Sequence, residues 1–122
     1  MIDQHFAEDF AAAWIAAWNA HDLDRILSHY AEDFEMASPY IARLAGEPGG
    51  QLKGKPAVRA YWAKAMELMP ELCFERLSVL SGVDSVVLHY RSAHGPAAEV
   101  FFFGEDGKVV RAHAHYPAGQ SG

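Results

Sequence analysis

Phe6, Phe10, Trp14 and Trp18 fall at successive four-residue steps near the start of the chain, whereas candidate strands crowd its end. That separation of periods narrows the fold more than anything else in the sequence. A 3.6-residue period puts the four rings on one stripe of a helix over 3–19, and the alanines between them favour helix and permit close packing. The strand candidates cover 71–80, 85–92, 97–103 and 108–116, separated by turn signals at Ser81-Gly82, Gly95-Pro96 and Asp106-Gly107. Between these regions, Asp22 is placed to cap a short helix over 23–30, with Leu23, Ile26, Leu27 and Tyr30 on its apolar side. Alternation from Asp33 to Met36 predicts a strand over 33–37, ended by Pro39. Segment 38–54 holds Pro39, Gly46, Pro48, Gly49, Gly50 and Gly54, and predicts a long surface stretch containing a short strand, of the kind that forms a lid or pocket rim. Pro56 suits the first turn of a third helix over 55–69, whose inner face would be Val58, Tyr61, Trp62, Ala65, Met66 and Met69. Segregated helices and an antiparallel meander imply an α+β fold rather than βαβ winding.

The 122 residues fit one domain, expected over 1–117 with 118–122 as a disordered tail. A hydrophobic share of 51% supports a packed core. A net charge of −6 and a pI near 5.5 weigh against nucleic acid and anionic membrane surfaces as partners, since both demand a basic face. Cys73 is the single cysteine, which excludes an internal disulfide and a CxxC motif; its apolar neighbours Leu72 and Phe74 predict an inert buried thiol. The N-terminal segment carries Asp3, Glu8 and Asp9 instead of a basic stretch, and the apolar run from Phe10 to Trp18 is too short to span a bilayer, so the expected location is cytoplasmic.

Four local strings, joined to this element order, resemble the nuclear transport factor 2-like superfamily. They are Trp18-Asn19-Ala20-His21-Asp22-Leu23-Asp24; Tyr30-Ala31-Glu32-Asp33-Phe34 with Ser38-Pro39; Gly54-Lys55-Pro56-Ala57-Val58; and Gly107-Lys108-Val109-Val110. The resemblance covers nearly the whole chain and is nearest to bacterial SnoaL-like proteins. It implies a cone-shaped, cystatin-like α+β fold, with three helices packed on a curved, mostly antiparallel sheet around one apolar pocket. It fixes no activity, because this superfamily includes isomerases, cyclases, hydrolases and non-catalytic domains. Delta-5-3-ketosteroid isomerase, within the superfamily, uses a carboxylate base and two acidic hydrogen-bond donors. Laid over this chain, the base falls at Ser38, the tyrosine donor at Trp14 and the carboxylic acid donor at Glu99. Only Glu99 keeps its chemical type, which argues against steroid isomerisation; SnoaL-type polyketide cyclases also rely on a pocket acid.

Glu99 interrupts the apolar stretch Ala97-Ala98-Glu99-Val100-Phe101-Phe102-Phe103 and is the leading candidate for a pocket acid with a raised pKa; the ordinary alternative is a solvent-facing strand residue. Its partners depend on the last turn. An even-length connection sets Glu99 opposite Ala112 or Ala114, with Ala112, Ala114 and Tyr116 on the inner face. A three-residue connection with Gly107 left-handed pairs residue 104 with 108 and sets Glu99 opposite His113, within reach of His115. His115 and Tyr116 are the candidate catalytic partners. His113 and His115 share a strand face, but a catalytic metal needs a third ligand and His89 lies two strands away, so neither a metal nor another cofactor is expected. His89 and Arg91 facing inward would polarise the pocket, and Tyr90 facing inward would leave it mainly apolar; both remain open. Trp14, Trp18, Phe34, Met36, Ser38, Trp62, His89 and Phe101 are the candidate ligand-binding residues.

Two functional classes follow. One is proton transfer (isomerisation, cyclisation or hydration) on a small apolar carbonyl compound. The other is a non-catalytic ligand-binding or dimerisation domain. Both predict a homodimer formed through an outer sheet face bearing Val100, Phe102 and Val109.

Overall fold

The computed structural model describes residues 1–117, so the expected tail over 118–122 lies outside the described residues. The elements run α1 (Gln4–Asn19), α2 (Leu23–Leu27), β1 (Tyr30–Ala37), α3 (Pro39–Leu44), β2 (Gln51–Lys53), α4 (Lys55–Leu68), β3 (Glu75–Ser81), β4 (Ser85–Ser92), β5 (Gly95–Phe103) and β6 (Val109–His115). The six strands form one sheet in the order β2-β1-β6-β5-β4-β3. Only the β1–β6 pair is parallel. The long helices and the meander sit where periodicity places them.

The differences lie in the first half. α2 stops at Leu27, and Tyr30, expected on its apolar side, opens β1 instead. The breaker-rich segment folds into α3 and β2. Its α3 is a fourth, six-residue helix beyond the three expected: Ser38 accepts the Tyr40 N–H as its N-cap, and Pro39 sits in the first turn. Cys73 is exposed, not buried, because β3 begins only at Glu75 and the stretch before it runs over the surface. Asn19 and His21 hold that stretch down. The Asn19 side-chain amide donates to Phe74 O at 3.0 Å and its oxygen accepts the Phe74 N–H at 2.7 Å, while His21 Nε2 lies 2.7 Å from Leu72 O. Asp22 caps α2 through the Arg25 N–H. The Asn-Ala-His-Asp string thus ends one helix, anchors a distant loop and starts the next helix.

α1 lies across the inner face of the sheet. Phe10 meets Phe101 and Phe103 edge-on at 4.8 and 5.0 Å, and Trp14 meets Phe101 and Tyr90 at 5.4 Å each. Such contacts add about 0.5–1.5 kcal/mol each beyond the area they bury. α4 closes the other side through Trp62, which packs on Trp18 at 5.2 Å and Tyr30 at 5.4 Å.

The last hairpin decides which side chains face this core. Gly104 and Lys108 are joined by the Gly104 N–H, and Gly107 takes φ +80°, so the connection is the three-residue kind. Continued regularly, it would set Glu99 opposite His113. It does not continue regularly: Phe103 pairs with Val109, but Phe102 pairs with Arg111. Val110 is the extra residue of a β-bulge, and beyond it Glu99 faces Ala114 and Phe101 faces Ala112. The same bulge turns Val109 into the core, fully buried, rather than onto the outer face where alternation alone puts it.

Candidate functional site

A cavity of about 100 Å³ lies between α1, α4 and the inner sheet face. Trp14, Trp18, Trp62, Phe74 and Met36 form its apolar walls, and its polar groups are Glu99, Ser38, Tyr40, Tyr61, Tyr90 and Tyr116. Its mouth is bordered by the β4–β5 turn over 92–96 and by Met69, Glu71 and Leu72, the loop that Asn19 and His21 tether.

Glu99 is 4% exposed and points into this cavity from the middle of β5. The Tyr90 hydroxyl donates to its Oε1 at 3.3 Å. Burial lifts the carboxyl pKa from 4.5 to about 7, and the Tyr90 hydrogen bond, which favours the charged form, offsets only part of that rise. No ion pair to Glu99 occurs among the described residues. The phenols nearby are held protonated. Burial pushes Tyr61 up to about 12 and raises Tyr30, Tyr90 and Tyr116, and the Glu99 charge raises all four further. A carboxyl near neutrality among protonated phenols can give or take a proton while the phenols donate hydrogen bonds.

Ser38 is 3% exposed. Its oxygen caps α3, and its hydroxyl interacts with the phenols of Tyr61 and Tyr116. Trp14 Nε1 donates to the Tyr30 hydroxyl at 2.9 Å. Trp18 Nε1, in contrast, is buried with no hydrogen-bond partner among the described residues.

The sequence-derived candidates thus divide. Glu99, Tyr116, Trp14, Trp18, Met36, Ser38 and Trp62 converge on the cavity. Phe34 and Phe101 are buried behind its wall, Phe34 against Tyr30 and Trp62, Phe101 against Phe10 and Trp14. His115 and His89 do not join them. Both sit at outward-facing positions flanking Ala98, because the inward positions of β4 and β6 belong to Tyr90 and Ala114. His115 is exposed, and its Nδ1 lies 3.2 Å from His113 O. The open question over β4 resolves to Tyr90 inward. Sequence reasoning missed the tyrosine cluster: Tyr61 looked like plain helix core and Tyr30 like the side of α2. The available signal was that buried phenols need hydrogen-bond partners, and this chain carries several at core positions.

A family model described as a SnoaL-like domain matches residues 11–112. A SnoaL-like protein of unknown function from Burkholderia thailandensis E264 is 58% identical, with 96% of this chain and 98% of that chain covered and a TM-score of 0.92. Two more distant structures share the fold. A putative polyketide cyclase from Sinorhizobium meliloti is 16% identical at a TM-score of 0.72, over 88% of this chain and 94% of that one. The epoxide hydrolase/cyclase-like enzyme SalBIII, with a role in pyran ring formation in the polyether salinomycin, is 17% identical at a TM-score of 0.74, over 98% and 97%. No curated protein matches the sequence significantly. With five-sixths of its length under one family model and a close structural counterpart over nearly all of it, the chain belongs to the SnoaL-like domain family.

Proposed function

We propose that this protein binds a small, largely apolar carbonyl compound in the cavity and moves a proton on it, with Glu99 as the general acid or base. The observation that carries this reading is a carboxyl 4% exposed, with no ion-pair partner among the described residues, at the end of an aromatic cavity. At neutral pH both protonation states of Glu99 are populated, which is the condition for taking a proton from carbon and returning it elsewhere. Tyr116, and Tyr61 beside it, would donate to the substrate oxygen as negative charge develops. Isomerisation, cyclisation and hydration all fit this arrangement. The enclosed volume of about 100 Å³ suits a small ring better than a steroid.

The second reading is ligand binding without chemistry. Ser38 favours it, because the superfamily's base position holds a hydroxyl that is occupied as a helix cap. A homodimer through the outer sheet face and a cytoplasmic location complete either reading.

Exchange of α-protons on cyclic ketones in deuterium oxide, followed by NMR, separates the two. The enzyme reading expects protein-dependent exchange that Glu99→Gln lowers at least about a hundredfold while the fold is retained. Exchange that survives the substitution would exclude Glu99, and binding without exchange would favour the second reading.

A further inference from the structure

A buried carboxylate is costly unless a positive charge or several donors accompany it, and Glu99 has little of either. Among the described residues its hydrogen bonding is confined to Oε1, which accepts from the Tyr90 hydroxyl. Oε2 has no hydrogen-bond partner among them, yet it is not sealed off. Trp18 Nε1 is the one side-chain nitrogen or oxygen there that lacks both a partner and accessible surface. Oε2 therefore keeps accessible surface, on a residue that lines the cavity. An ionised carboxylate oxygen only accepts, so its complement is a donor or a positive charge.

The rest of the lining points to a cation. Three tryptophans, four tyrosines and Phe74 surround the space. The rings form a continuous wall: Phe74 lies 4.6 Å from Tyr90 and 5.6 Å from both Trp14 and Trp18, and Trp18 lies 5.2 Å from Trp62. Aromatic rings attract cations, most strongly where water is excluded. Among the described residues the lining contains no lysine or arginine. Arg43 stacks over the Tyr40 ring at 4.7 Å without joining the lining. With the phenols protonated, the side chains that can carry charge are Glu99 within and Glu71 and His94 at the mouth. An anion entering here would meet carboxylates, whereas a cation would meet a carboxylate and rings. A primary ammonium brings three N–H groups to walls that offer them few acceptors; alkyl groups on the nitrogen replace those N–H groups with surface that the rings can cover.

We propose that the cavity is a binding site for compact alkylated ammonium ions, tertiary or quaternary, with the Glu99 carboxylate as counter-ion and the aromatic wall packed around the alkyl groups. This rests on the reading that the cavity takes a small molecule and is independent of whether Glu99 moves a proton. An ammonium ion would occupy the place of a ketone, so it is a second class of ligand for the same site.

The test compares choline with 3,3-dimethylbutan-1-ol, which has the same shape with carbon in place of the charged nitrogen. Dissociation constants are measured by calorimetry at pH 8, where the Glu99 carboxyl is mostly ionised, on the full-length protein and on Glu99→Gln. The unaltered protein should bind choline at least about tenfold more tightly than the alcohol. Glu99→Gln should weaken choline at least about tenfold and leave the alcohol within about threefold, which shows the cavity intact. The comparison within the unaltered protein is decisive by itself if the variant does not fold. Equal affinities, tighter binding of the alcohol, or a choline preference that persists undiminished in Glu99→Gln would overturn the ammonium site. Failure of both probes to bind the unaltered protein would overturn it too, while proton exchange on ketones judges the carbonyl reading separately.

Discussion

Glu99 holds its proton more tightly in the folded chain than it would unfolded, and that difference has a consequence for stability. The rise from 4.5 to about 7 means that the native state binds more protons than the unfolded state across this window. Stability therefore falls as pH rises from about 4.5 to 7, and the loss is complete above that range. At about 1.4 kcal/mol per unit the full loss is about 3 kcal/mol. Glu99→Gln keeps an oxygen for the Tyr90 hydroxyl and carries no charge, so it should escape the loss. Urea denaturation is expected to show equal stabilities near pH 4.5 and a more stable variant, by up to about 3 kcal/mol, at pH 8. A difference that stays constant with pH would mean that Glu99 is hydrated. The same burial that destabilises the folded state at alkaline pH keeps the carboxyl available as an acid at neutrality, a common exchange of stability for function.

Among the elements, the β1–α3–β2 excursion positions more of the site than its length suggests. It begins at Ser38, whose N–H donates to Gly50 O at 2.9 Å, so the ends of the excursion are tied together. Gly50 takes φ +71°, and a Cβ there would meet Ser38 O at 3.1 Å. Gly50→Ala combines left-handed strain with that contact and should cost about 1–2 kcal/mol, measured by thermal or urea denaturation. Gly49→Ala, where nothing lies within 4 Å and φ lies outside the left-handed region, is the matched control and should be nearly silent. Because Ser38 reaches Tyr61 and Tyr116 from the same place, Gly50→Ala should also weaken ligand binding. The Val110 bulge is the other decisive element. It converts a three-residue hairpin into the register that points Glu99 inward, and it sends Val109 to the core. One extra residue exchanges the faces of everything beyond it.

At the scale of the molecule, the sheet has two unlike faces. The inner face carries Leu88, Tyr90, Glu99, Phe101 and Ala112, all buried under α1 and α4. The outer face carries Val87, Val100, Phe102 and His113, all half-buried, with Arg111 lying over the Phe102 ring at 4.3 Å. The proposed homodimer would cover this outer face, and light scattering at micromolar concentration should return twice the chain mass. A monomer would remove the dimer from the proposal without touching the cavity. Among the described residues no helix is long and apolar enough to cross a membrane.

The helical stripe of α1, the Pro56-started α4 and the strands of the meander were legible in the residues themselves. Local periodicity and turn chemistry act over a few residues, and the pattern of each of these elements agrees with its place in the fold. Glu99 stood out for the same reason, as a charge inside an apolar strand. Its cross-strand neighbours stayed a choice between two sets, because which residues meet across strands depends on register. Register here depends on a bulge at Val110 for which the local sequence offers no signal, since the Asp-Gly turn alone permits either pairing. Tyr30, Tyr61, Tyr90 and Tyr116 come from four different segments, and only packing makes them one cluster around a carboxyl. Cys73 shows the limit from the other side: its apolar neighbours argued for burial, but the loop anchored by Asn19 leaves it in solvent.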